Sequence, residues 1–236
     1  MELYDIVYIL KNGVQPDELR YSLRSLVNFP HARVWFAGGI PEGLRADGVM
    51  PIEQEGISKY QKAGSTYRPI CENDQISDQF WLFNDDFYVM QPVTEYGTVY
   101  DETLFEKIIR IEDKHNGETT YTKRLRNAAK WLRENNYDVL NYENHMPMLY
   151  DKKKLLRVLD LKETLDSECY PTRSLYGNIY GTGEVNHPDV KIIDTGVMPD
   201  PDCDFLSTCD LSFRRGKVGE YIRDQFKDPC EYEVKL

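Results

Sequence analysis

Short apolar runs closed by Gly, Pro or Asn alternate along this chain with stretches whose apolar residues recur every three to four positions. Asp5-Ile6-Val7-Tyr8-Ile9-Leu10, stopped by Asn12-Gly13, predicts a buried strand over 4–10 and a turn. Pro16-Asp17-Glu18 then signals a helix start with acids in its first turn, and Leu19, Leu23 and Leu26 give that helix one sheet-facing side. A second strand is expected over 33–37, before Gly38-Gly39, and a short third at Val49-Met50-Pro51-Ile52, where the proline suits an edge. Residues 57–78 read as a polar, partly helical segment placed to close over a ligand, with Lys59, Lys62, Ser65, Thr66 and Arg68.

The run Gln79-Phe80-Trp81-Leu82-Phe83 follows, and Asn84-Asp85-Asp86 interrupts it before Phe87 resumes the apolar pattern. A strand over 79–84 is expected, ending where the acids begin. Beyond it, Thr119 to Glu134 predicts a helix with Leu125, Ala128, Ala129 and Leu132 on one side. Val139-Leu140-Asn141-Tyr142 suggests a strand leading into His145-Met146-Pro147, and Lys152 to Leu159 a short basic helix. Thr172 to Asn178 shows no clear local preference. Val190–Ile193 and 204–209 read as strands, and Lys217 to Phe226 as a last helix. The alternation predicts an α/β fold: a Rossmann-like, mixed but mainly parallel sheet flanked by helices. With no repeat, low-complexity tract or linker, a single domain over 1–236 is expected.

Composition narrows the function classes. A net charge of −11 argues against long contacts with a nucleic-acid backbone, leaving room for a small basic pocket. The five cysteines show neither a C-x-x-C pair nor zinc spacing, which fits free thiols in a reducing cytoplasm. No basic-then-apolar leader and no membrane-length apolar run is visible, so a cytoplasmic protein is expected.

The chemistry centres on Asn84, Asp85 and Asp86. Adjacent carboxylates inside an apolar run must be paired, hydrogen-bonded or bound to a cation. At the C-terminal edge of a strand, where open α/β sheets bind ligands, hard oxygens suit Mg²⁺ or Mn²⁺ bridging phosphates. A solvated turn is the bland alternative. Arg20 and Arg24, four apart on one helix face, either grip a diphosphate or are surface groups paired to Asp17 and Glu18. His145 is either a structural hydrogen-bonder or a base or ligand.

Three blocks together, Asp5-Ile-Val-Tyr, Glu18-Leu-Arg-Tyr-Ser-Leu-Arg-Ser-Leu26 and Phe83-Asn-Asp-Asp-Phe87, resemble the Stealth proteins, sugar-phosphate transferases of capsule synthesis and lysosomal targeting. His145-Met-Pro147, Arg173-Ser174 with Asn178, and Phe205-Leu-Ser-Thr-Cys-Asp210 fall in the order of that family's later regions. The compact length is similar to phage-encoded glycosyltransferases of the GT-A, nucleotide-diphospho-sugar type. Asn12 and Cys209 depart from the Stealth pattern, which bears on phosphotransfer more than on sugar-nucleotide binding.

The resemblance implies a GT-A-like domain in which Asn84, Asp85 and Asp86 hold Mn²⁺ or Mg²⁺ beside the leaving diphosphate. It implies donor contacts from Arg20, Arg24, Lys62 and Arg173, with Tyr8, Tyr176 and Tyr180 as a platform. Asp86 acts in catalysis through the metal, and His145 or Asp210 takes the acceptor proton. The expected function is metal-dependent transfer of a sugar from a nucleotide-sugar donor to a hydroxyl acceptor, whether glycan, protein or modified nucleobase. The alternatives are sugar-1-phosphate transfer and a nucleotide-sugar-binding module without turnover.

Overall fold

The computed structural model describes residues 2–13, 17–55, 59–164, 171–183 and 185–234. In chain order the elements begin with β1 (Asp5–Leu10), α1 (Asp17–Ser25), β2 (Val34–Gly38), β3 (Gly48–Met50), α2 (Lys59–Glu72), β4 (Gln79–Phe83) and β5 (Phe87–Val89). The middle holds β6 (Val99–Tyr100), α3 (Leu104–His115), α4 (Thr120–Glu134), β7 (Met148–Asp151), α5 (Lys152–Thr164), α6 (Thr172–Tyr180) and β8 (Val185–Asn186). The chain ends with β9 (Lys191–Ile192), β10 (Phe205–Thr208), α7 (Asp210–Arg215) and α8 (Lys217–Gln225). The fold is mixed α/β with a mainly parallel sheet flanked by helices. Among the described residues no helix is long and apolar enough to cross a membrane.

Within the single domain expected over 1–236, the chain packs as two compact units. The first comprises Met1–Tyr96, His145–Leu149 and Val190–Leu236. Its principal sheet has the order β3-β2-β1-β4-β7, with β7 entering through Met148 and Leu149. β1 pairs in parallel with both β2 and β4, and β3 lies at the edge, as its following proline suits. Because β2 and β4 flank β1 on opposite sides, the connections diverge there, and the C-terminal ends of β1 and β4 border the topological switch point.

The core beneath that point is aromatic. Tyr8 is buried against Phe36 and Phe83, at ring-centroid distances of 6.3 and 5.7 Å. At the opposite end of the strands, Asp5 is fully buried and satisfied by donors from three directions. Arg33 donates through Nε and Nη2 at 3.1 and 2.8 Å, Trp35 through Nε1 at 3.1 Å, and the Ser77 amide at 2.9 Å. This one carboxylate joins β1 to β2 and to the approach to β4.

A second sheet, β5-β10-β9, carries the chain past the acids. β5 pairs antiparallel with β10 through Phe87↔Ser207, and β10 pairs in parallel with β9 through Ser207↔Lys191. The free edge of β5 is covered by side chains of α1 and the turn after it, not by another strand. Ser22 Oγ donates to the Phe87 carbonyl, the Val89 amide donates to Ser25 Oγ at 3.1 Å, and Asn28 Nδ2 donates to the Val89 carbonyl at 2.9 Å. Two buried serines three residues apart thereby fasten the strand that follows Asp86. Met90, Leu206, Phe213, Val218 and Ile222 close the core on the other side of Tyr88.

The second unit comprises Gly97–Asn144 and Tyr150–Asp189. It holds α3 and α4, each opened by a capping box at Thr103 and Thr119, the short β6–β8 pair, α5 and α6. The strand expected at Val139–Tyr142 is absent. Asn178 takes both backbone groups of Leu140 with its side-chain amide, at 2.9 and 2.8 Å, and the Asn141 amide donates to the Glu102 carbonyl at 2.8 Å. A side chain and a loop do what a neighbouring strand would do. Residues 172–180, indeterminate in sequence, form α6, and Gly177 lets it approach the Tyr142 ring, where a Cβ would sit 2.4 Å from ring carbon.

Removing the Asp5 carboxylate strands the Trp35 indole N–H and the Ser77 amide in a dry site. Asp5→Ala is expected to lose roughly 3 kcal/mol or more, read from urea unfolding, because each buried unsatisfied donor costs about 1–3 kcal/mol. A loss below 1 kcal/mol would show that the strands are held without it.

Candidate active site

β4 ends at Phe83, and the Phe87 amide donates to the Asn84 carbonyl at 3.3 Å, closing a tight turn that projects Asp85 and Asp86 beyond the strand. Asn84 is exposed, while the two acids are half-buried. Asp86 Oδ2 accepts from Lys191 Nζ at 2.9 Å. Its Oδ1 is buried and has no hydrogen-bond partner among the described residues.

Glu18, in the first turn of α1, completes the cluster from the β1 side. Its Oε1 accepts from Thr208 Oγ1 at 2.8 Å, and Thr208 Oγ1 lies 3.2 Å from the Tyr88 hydroxyl. With Glu18 ionised, the hydrogen bonds run from Tyr88 to Thr208 to Glu18. Burial pushes the Glu18 carboxyl up to about 7, helped by the charges of Asp86, Asp85 and Asp210 and opposed by the Thr208 hydrogen bond. Burial, then the neighbouring Asp86 charge, likewise raises Asp85 to about 6. Two carboxyls that exchange protons near neutrality, beside a third that carries an orphaned buried oxygen, form a site able to take a proton or a cation.

Asp210 heads α7 on the same side, exposed and paired to Arg214 Nε at 2.9 Å, and Arg214 reaches on to Asp17 at 3.2 Å. Cys209 precedes it. Burial alone would raise its thiol, but hydrogen bonds from Ser212 and the Leu211 amide, with the Lys191 charge, outweigh burial and lower it.

The remaining expected residues distribute differently. Arg20 and Arg24 do share a face of α1, but that face leads them to Glu233 and not to the acids. Arg24 grips Glu233 with Nε at 2.7 Å and Nη2 at 2.9 Å, and Arg20 binds the same carboxylate. Arg24 Nη1 also donates to the carbonyls of Phe226 and Lys227. The paired arginines hold Glu233 well below the usual carboxylate range, at about 2. The expected diphosphate grip is therefore corrected to an internal clasp, with a partner 209 residues beyond Arg24 that no local signal announces.

Tyr8 is corrected as well. Its ring is enclosed under the site and its hydroxyl lies 2.9 Å from Ser22 Oγ, so it offers no face to a ligand. Arg173 belongs to the second unit, where it braces the 142–144 loop by donating to the Tyr142 carbonyl at 2.7 Å and to Asn144 Oδ1 at 3.2 Å. Tyr176 and Tyr180 pack on each other in that unit. His145 stands just before β7 in the first unit, half-buried. Lys62 lies in α2, and its side chain falls outside the described residues.

Two residues of the cluster escape the sequence reading. Glu18 is read there as a helix-start acid and a possible arginine partner. Its position directly after the first strand is the signal that also places it at the strand ends. Lys191 reads as an ordinary strand residue, and nothing local marks it, since Asp86 lies 105 residues away.

Among the described residues no three or more His, Cys, Asp or Glu side chains converge to hold a metal by themselves. The oxygen-only donor set and the orphaned Asp86 Oδ1 still fit a hard divalent ion whose shell is completed by a ligand's oxygens. Searches found no family model and no curated protein matching the chain.

The raised carboxyls set a pH dependence of stability. The unfolded chain releases these protons near 3.8 and 4.5, the folded chain near 6 and 7. Between pH about 4 and 7 the folded state holds more protons, so this contribution to stability falls as pH rises. In EDTA, Glu18→Gln should be more stable than wild type at pH 8 by on the order of 1 kcal/mol, discounted for partial exposure. The two should nearly coincide at pH 4. Equal stability at both pH values, measured by denaturant unfolding, would remove the raised proton affinity assigned to Glu18.

Proposed function

We propose that this chain is a metal-dependent, GT-A-like glycosyltransferase that moves a sugar from a nucleotide-diphospho-sugar to a hydroxyl acceptor. The observation carrying this reading is the placement of Asp85 and Asp86 beside the switch point of a mainly parallel sheet, with Glu18 near enough to feel both charges and Asp86 Oδ1 buried and without a partner among the described residues. Asp86 and Asp85, with Asn84 alongside, would hold Mn²⁺ or Mg²⁺. The ion supplies charge stabilisation to a departing diphosphate.

The chain's own residues supply the rest. Glu18 is the base: its carboxylate accepts the acceptor hydroxyl's proton, and its affinity for that proton near neutrality suits the task. Thr208 fixes Glu18 through one oxygen and leaves the other for the acceptor, while Tyr88 fixes Thr208 in turn. Asp210, exposed and paired with Arg214, is better placed to shape the rim than to take that proton. Lys191 is the basic group at hand for phosphate oxygens, the role first expected of Arg20 and Arg24.

Sugar-1-phosphate transfer would use the same acids, and the Stealth-like blocks around Glu18 and Asp85 favour keeping it as the second reading. The products separate the two: nucleoside diphosphate for sugar transfer, nucleoside monophosphate for sugar-phosphate transfer. Nucleotide-sugar binding with neither product would identify a module without turnover.

Asp86→Asn preserves shape and removes one charge. The variant should keep the wild-type circular dichroism and melting cooperativity, yet lose the Mn²⁺-dependent rise in melting temperature that nucleotide-sugars give the wild type. Undiminished Mn²⁺-dependent binding in Asp86→Asn would reduce the Asn-Asp-Asp stretch to a structural turn.

A further inference from the structure

An edge lysine ordinarily extends into solvent and protects the edge. Lys191 does otherwise. It lies on β9, the two-residue edge strand of the second sheet, and only a fifth of its side chain is exposed. Its ammonium rests on Asp86 Oδ2 at 2.9 Å, and Asp86 is itself 15% exposed. Among the described residues it is the one positive side chain within ion-pair distance of Asp86. The charges of Asp85, Asp86 and Asp210 act on Glu18 and that of Asp86 acts on Asp85, while the field of Lys191 reaches Asp85 and Cys209.

The two oxygens of Asp86 are thus unequal. One is taken by the ammonium and the other is buried without a partner among the described residues. A divalent ion on this carboxylate would stand within a few ångströms of the ammonium, and at that distance two cations repel strongly in a half-buried site. The lysine stem is flexible and β9 is short and peripheral, so the ammonium can leave without unfolding the sheet.

We propose that Lys191 is a built-in competitor for the cation site at Asp86: its ammonium holds the carboxylate in the ion-free protein and sets the divalent-ion concentration at which the site fills. This rests on the metal reading given above and adds a regulatory element to it. The site would stay closed to weakly binding or scarce ions and would fill when a second contribution, such as phosphate oxygens that attract both the ion and the displaced ammonium, favours the exchange. An occupied state lowers apparent affinity by the fraction of competent molecules, so a lysine in place nine-tenths of the time weakens binding about tenfold.

The test is a titration with Mn²⁺ alone, following the free-ion signal by electron paramagnetic resonance into the millimolar range, with no nucleotide present. Lys191→Met should bind Mn²⁺ about tenfold more tightly than wild type, and Lys191→Arg should bind like wild type. Should Lys191→Met fail to fold by circular dichroism, Lys191→Gln, which keeps a polar end, carries the same comparison. Measurable binding that is equal or weaker in the neutral variants overturns the competitor role and leaves the metal reading standing. No Mn²⁺ bound by any of the proteins up to the millimolar range also overturns the competitor role, while the metal reading itself stands or falls on the Mn²⁺-dependent nucleotide-sugar shift lost in Asp86→Asn.

Discussion

The principal sheet depends on a carboxylate that is buried and yet fully satisfied. Asp5 receives the guanidinium of Arg33, the indole N–H of Trp35 and the backbone of Ser77. A charge in that position is tolerated only because every oxygen has donors. The anchoring sets how β1 lies against β2 and β4, with Asp5 opposite Phe80 and Tyr8 opposite Phe83. From that register it follows where β1 and β4 stop, and so where Glu18 and Asp86 can meet. The molecule treats its carboxylates in two ways: complete satisfaction at one end of the strands, incomplete satisfaction at the other. There burial and like charges raise the proton affinity of Glu18 and Asp85, and Asp86 keeps an oxygen without a partner among the described residues, which is the condition for chemistry.

The strands were largely legible because they are apolar runs with hard stops. Gly38-Gly39 and the Asn-Asp-Asp stretch mark the ends of β2 and β4 as plainly in sequence as in space. The helices at 120–134 and 217–225 follow from their periodic apolar residues. What failed depends on distance. Leu140 looks like a strand residue until Asn178, 38 positions later, takes its backbone. Arg20 and Arg24 look like a phosphate grip until Glu233 supplies the carboxylate. The acids of the site were readable because adjacent Asp residues in an apolar run demand explanation. Lys191 was not, since one lysine on a short strand demands none.

Ser22 and Ser25 show a third kind of limit. In sequence they lie beside the apolar stripe of Leu19, Leu23 and Leu26 and carry no sign of a partner. In the structure they are buried and take the backbone of β5, whose free edge would otherwise hold unpaired groups. Helix α1 thereby does two jobs at the site: its first turn delivers Glu18, and its middle fixes the strand that follows Asp86.

The clasp between α1 and Glu233 also bears on how the chain matures during synthesis. Arg24 leaves the ribosome 209 residues ahead of its partner. At roughly 5–20 residues per second, that is an interval of about 10–40 s. Strand β10, Lys191 and the α7–α8 pair emerge in the same late window, after the whole second unit has been made. Through that interval the acids of the N-terminal part lack both Thr208 and Lys191, and two arginines lack Glu233. The site is complete only once Lys191 and Thr208 have been made.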